Sequence, residues 1–160
     1  VKVILQDIKK LETEALIVGF YQDVRPLKGL AGELDWLLCG SLSDLILHNR
    51  LNGSLGDVAL LTSRGKVPAV KIFMVGLGPK EGKSLSSLRA AARIAAMSAV
   101  GAGVTNAAIE FFDSPGVPYD KVIAALSDGL SDGAKGNPLT VSLLATDAAT
   151  YDKLSQLVRI

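Results

Sequence analysis

The sequence predicts a three-layer α/β/α domain built on a mixed, mostly parallel six-stranded sheet flanked by helices. Two observations predict it. Apolar runs of strand length alternate with segments of helix length along the chain. Most of those runs are continuous rather than alternating, the pattern of strands covered on both faces, as in a parallel sheet between helix layers. The 160 residues fit one domain, expected to span 1–160, and a domain of that size buries roughly 70% of the surface its unfolded chain exposes.

The strand-like runs are residues 1–5, 15–21, 57–62, 69–75, 106–112 and 139–146, each bounded by turn residues. The helix-like segments are 31–49, 84–101, 119–134 and 148–158. Several boundaries have a local cause. Ser84 stands where an N-cap is wanted, and Gly101 and Gly103 can end the same helix through positive φ. Pro118 opens the next helix, and Asp147 can cap the last. Gly133, Gly136 and Pro138 read as a compact loop before the final strand.

Charge and cysteine content narrow the partners. The 17 basic and 16 acidic side chains nearly cancel, so no global field draws the chain onto nucleic acid or an anionic membrane. Trp36 and three tyrosines are dispersed without interleaved basic residues, and nucleic-acid binding is not expected. Cys39 has no second cysteine to pair with, which points to a reducing, cytoplasmic setting. The small-apolar stretch 90–104 is broken by Arg93 and glycines, and falls short of the ~20 apolar residues a bilayer requires.

Chemistry is sparse. The segment Val75-Gly76-Leu77-Gly78-Pro79-Lys80-Glu81-Gly82-Lys83-Ser84 follows an apolar strand and leads into a helix. Backbone N–H groups in such a place can hold an anion, so Gly76, Gly78, Gly82, Lys83 and Ser84 form a candidate site for a phosphate-containing small molecule. The spacing misses the Walker A pattern, and position 81 is Glu where the dinucleotide pattern requires Gly. The same glycines equally serve a tight strand-to-helix turn. Ser41, Asp44 and His48 share one helical segment, whereas a catalytic triad converges from separate elements. Glu12, Glu14, Glu33, Asp35, Asp128 and Asp132 are too scattered for a two-metal centre, and Asp128 and Asp132 read as solvated helix surface. Arg89 and Arg93, one turn apart, with Lys80 and Lys83 before them, can form a small basic patch.

The unit Val70-Lys71-Ile72-Phe73-Met74-Val75-Gly76-Leu77-Gly78-Pro79-Lys80-Glu81, followed by the helix containing Leu88-Arg89-Ala90-Ala91-Ala92, resembles the N-terminal domain of the leucyl aminopeptidase (cytosol aminopeptidase) family. The strand Ala15-Leu16-Ile17-Val18-Gly19-Phe20 and the segment Leu30-Ala31-Gly32-Glu33-Leu34-Asp35 agree, and the likeness runs over roughly residues 1–135. The resemblance implies a fold related to macro domains, joined in full-length members to a C-terminal peptidase domain that holds two metals. The signature of that second domain, Asn-Thr-Asp-Ala-Glu-Gly-Arg-Leu, is nowhere in this sequence. No catalytic residue, metal ligand or cofactor is therefore carried over.

The resemblance implies a non-catalytic domain acting in oligomer assembly or regulation, since full-length members form hexamers. Its expected partners are further copies of itself or a peptidase domain. A macro-like module that binds ADP-ribose or a related nucleotide is the alternative, and a hydrolase using His48 is a third. The strand and helix of residues 139–160 favour a complete unit. As part of a longer chain, the domain would belong to a two-metal leucyl aminopeptidase.

Overall fold

The structure, a computed structural model, describes residues 2–81, 84–112, 114 and 116–158. Six strands, β1 (Lys2–Ile4), β2 (Ala15–Phe20), β3 (Val58–Thr62), β4 (Lys71–Gly76), β5 (Asn106–Glu110) and β6 (Thr140–Leu144), form one sheet in the order β1-β6-β5-β2-β4-β3. All neighbours run parallel except the edge pair β3–β4. Five helices accompany them: α1 (Gly29–Leu37), α2 (Ser41–Leu47), α3 (Leu85–Gly101), α4 (Tyr119–Ala134) and α5 (Ala148–Val158). The predicted layers and sheet are present.

The continuous apolar runs work as expected, because successive side chains of a strand point to opposite faces. In the central strands Ala15, Ile17, Phe73, Val75, Ala107 and Ile109 pack with α3, α4 and α5. Their neighbours Leu16, Val18, Ile72, Met74 and Ala108 pack with α1 and α2. Both faces of the sheet are thus covered.

The two helix layers are built differently. Helices α3 and α4 approach through small residues: a Cβ on Gly129 would lie 2.3 Å from the Arg89 carbonyl oxygen, and one on Gly133 would lie 2.2 Å from that of Arg93. Ala92 and Ala96 face the same two glycines. Gly133 is therefore a packing residue inside α4, not part of the loop the sequence predicts. Ser84 caps α3 as expected, accepting from the Ser87 N–H at 3.2 Å while the Ser84 N–H donates to Ser87 Oγ at 2.9 Å. Asp147 likewise accepts from the Thr150 N–H at 2.7 Å at the start of α5, which holds its carboxyl below the usual range.

On the opposite face the predicted helix 31–49 is two helices. The break falls at Cys39 and Gly40, both at positive φ (56° and 83°). Asp35 in α1 accepts from the backbone N–H groups of Leu42 and Ser43 at 2.9 and 3.0 Å and also bonds the Ser43 hydroxyl. A side chain of the first helix thereby caps the second, which gives the turn an alternative to helix continuation.

Candidate functional site

The Gly76–Ser84 segment does join a strand to a helix N-terminus, and among the described residues the backbone N–H groups of Gly76, Leu77, Gly78, Lys80 and Ser84 are engaged within the fold. The N–H of Gly76 donates to the Asp57 carbonyl at 2.8 Å, that of Leu77 to Phe20 at 2.9 Å and that of Gly78 to Gly53 at 2.9 Å. The Lys80 N–H donates to Asp23 Oδ1 at 3.0 Å. Gly76 is required for close approach, since a Cβ there would sit 2.1 Å from the Ser54 carbonyl oxygen. Gly78 supplies a φ of +78°. Ser84 turns its hydroxyl to the cap of α3. Gly82 and Lys83 lie outside the described residues.

The other sequence candidates are dispersed or paired. Asp132 bridges Arg93 at 3.5 Å and Arg89 at 3.6 Å, so the anticipated basic patch carries its own counter-ion. Asp132 is thus an interhelical ion-pair partner rather than only solvated surface. His48 ends α2, exposed, with Nδ1 2.9 Å from the Asp44 carbonyl oxygen and 3.4 Å from Asp44 Oδ1. Ser41 Oγ donates instead to the Leu38 carbonyl at 2.6 Å. No triad forms from these three. Among the described residues no group of three or more His, Cys, Asp or Glu side chains is placed to hold a metal ion.

What the fold does assemble is a crevice outside the carboxyl ends of the parallel strands, the usual ligand position in open α/β sheets. One part, about 230 Å³, lies where β2 and β5 end and α1 begins. A second part, about 590 Å³, lies outside β1 and β6 and is lined by Asp7 and Glu33. Gly29 and Thr146 line both. In the smaller part Leu77 and Phe112 fill the floor, since a Cβ on Gly19 would meet each of them at 2.8 Å.

Glu110 is the distinctive residue of this crevice. It ends β5, and Oε1 accepts from the Gly19 N–H at 3.2 Å. Among the described residues its second oxygen has no hydrogen-bond partner. Withdrawal from water pushes its pKa up to about 7, and the Gly19 N–H only partly offsets this. In the sequence Glu110 lies inside the apolar run 106–112, which conceals it. The available signal was a lone acidic residue between Ile109 and Phe111. Lys28 lines the same part of the crevice and precedes an α1 whose N-terminus has neither a side-chain cap nor an acidic residue in its first turn.

Mixed sheet, helix layers and terminal crevice define the class of macro-like α/β domains. A macrodomain of Oceanobacillus iheyensis superposes with a TM-score of 0.77 at 14% identity, covering 98% of this chain and 89% of that one. The chain belongs to the cytosol aminopeptidase family, whose N-terminal domain matches residues 17–135. A probable cytosol aminopeptidase of Geobacter sulfurreducens is 37% identical over 120 residues, which are 74% of this chain and 24% of the relative. The match thus spans about a quarter of that relative's length. A tomato leucine aminopeptidase structure agrees in fold, with a TM-score of 0.69 at 19% identity, over 98% of this chain and 36% of that one. No helix among the described residues is long and apolar enough to cross a membrane.

Proposed function

We propose that this chain is a non-catalytic domain that works by assembly, docking its α1–α2 layer onto the peptidase part that its relatives carry. The observation that carries this reading is the exposure of large apolar side chains on that layer. Trp36 in α1 is 81% exposed and Leu47 in α2 is 77% exposed. Exposed tryptophans are expensive to leave in water and dominate binding energy when an interface covers them. The relatives' extra length supplies the partner: about three quarters of the Geobacter protein lies outside the match.

Mixing the chain with the remaining portion of that relative, followed by light scattering on the eluted peak, tests the reading. Co-elution that is lost in Trp36→Ser is expected. Separate elution of the wild-type chain would contradict it, and self-association alone would redirect the surface to a second copy.

The second reading, nucleotide binding, is favoured by one comparison. A Trypanosoma brucei macrodomain in complex with ADP-ribose matches with a TM-score of 0.73 at 16% identity, over 98% of this chain and 68% of that one. Electrostatics oppose it here. Asp7 and Glu33 line the larger part of the crevice and Glu110 the smaller, leaving Lys28 to offset a diphosphate. Calorimetry with ADP-ribose decides the matter: heat that saturates at micromolar ligand would establish this reading over assembly.

A further inference from the structure

The crevice at the ends of β2 and β5 combines three features that assembly does not use. The first is its size. A volume of about 230 Å³ corresponds to roughly eight water-sized groups at ~30 Å³ each. That suits a molecule of about that many heavy atoms, whereas a larger one would extend into the adjoining part lined by Asp7 and Glu33.

The second feature is its mixed polarity. Glu110 presents an oxygen without a hydrogen-bond partner among the described residues. Lys28 and the start of α1 present positive charge, and Lys28 has no salt-bridge partner among the described residues. The α1 N-terminus, nine residues of helix behind it, keeps its first N–H groups free of side-chain caps. The third is an apolar lining made by Leu27, Leu77 and Phe111.

We propose that this crevice binds a small zwitterion of the free amino acid class with an apolar side chain. The ammonium group donates to the open Glu110 oxygen. The carboxylate accepts from the first-turn N–H groups of α1 and pairs with Lys28. The side chain lies against Leu27, Leu77 and Phe111. A phosphate ester fits poorly, because its charge would meet Glu110, and a purely apolar molecule would leave the polar groups unsatisfied. The site does not depend on the assembly reading, since none of its residues is Trp36 or Leu47.

Amide NMR of the 160-residue chain titrated with L-leucine tests the proposal. Leucinamide, which lacks the carboxylate, and 4-methylpentanoate, which lacks the ammonium, are the comparison ligands. Leucine is expected to shift the amides of Gly19, Tyr21 and Gly29 saturably in the millimolar range. Each truncated ligand should bind about tenfold more weakly, the worth of one charge-assisted hydrogen bond. Glu110→Gln should weaken leucine by a similar factor with an otherwise unchanged spectrum. Should that variant fail to fold, the exposed Lys28→Ala carries the same comparison. No saturable shift at tens of millimolar leucine, equal binding of 4-methylpentanoate, or shifts from ADP-ribose but not from leucine would each overturn the proposal.

Discussion

The two helix layers solve the same problem, covering one face of a shared sheet, with different materials. On one side α3 and α4 meet at backbone distance through Gly129, Gly133, Ala92 and Ala96, and the interface is closed with an Arg89–Asp132–Arg93 bridge at its rim. On the other side α1 and α2 are short, divided at Cys39 and Gly40, and leave Trp36 and Leu47 in water. The first layer closes on itself through backbone-distance contacts, and the second leaves the apolar surface proposed to meet a partner. That division teaches where substitutions should unfold the domain and where they should only isolate it.

The closed layer is the place to break the fold. Gly133→Leu would drive a side chain into the Arg93 carbonyl, 2.2 Å from the new Cβ. A loss of about 3 kcal/mol or more in denaturant-derived stability is expected, opposite in sign to the usual gain of about 1 kcal/mol for removing a helical glycine. Wild-type stability in that variant would refute the backbone-distance contact.

The crevice at the strand ends gives a pH-dependent effect of slightly smaller size. Because the folded-state pKa of Glu110 is raised from 4.5 to about 7, the stability of the neutral form is fully present below about pH 4.5. It is lost progressively up to about pH 7 and is flat beyond. The shift corresponds to roughly 3 kcal/mol at about 1.4 kcal/mol per unit, reduced toward 2 by partial access to water. Lys28 and Tyr21 are the other titratable side chains lining this part of the crevice among the described residues. Urea titrations at pH 4.5 and 8 should show that slope in the wild type and its absence in Glu110→Gln. An unchanged slope in the variant would assign it to another group.

Smaller effects sharpen the contrast. Asp132→Asn removes the bridge between two half-exposed arginines, and exposed pairs contribute less than about 1 kcal/mol. A larger loss would mean the rim, not the glycine contact, holds α3 to α4. On the open layer Trp36→Ser should change monomer stability by no more than about 0.5 kcal/mol, measured by the same urea titration.

The sheet was readable because its central strands are buried on both faces and therefore written as uninterrupted apolar runs such as Ala15–Phe20. The Ser84 and Asp147 caps were readable because their partners, Ser87 and Thr150, are three residues away. Features made by distant residues were not. The division of residues 31–49 depends on Asp35 reaching the N–H groups of Leu42 and Ser43, which a smooth helical pattern conceals. The packing role of Gly129 and Gly133 emerges only when α3 is laid against them. Glu110 acquires its character only when β5 lies beside β2 and the Gly19 N–H, 91 residues away in sequence, meets its carboxyl. The Gly76–Ser84 segment illustrates the reverse. Its local pattern suggests an anion cradle, while the N–H groups of Gly76 and Gly78 are engaged by the Asp57 and Gly53 carbonyls.

Trp36 is the sole tryptophan of the chain, so its emission reports the open layer directly. Acrylamide quenching of that emission, measured with and without the peptidase portion of the Geobacter relative, tests the central claim. Full quenching of the isolated chain and marked protection, with a blue shift, on mixing are expected. Emission that is already protected in the dilute isolated chain, or that stays fully quenchable in a confirmed complex, would contradict it.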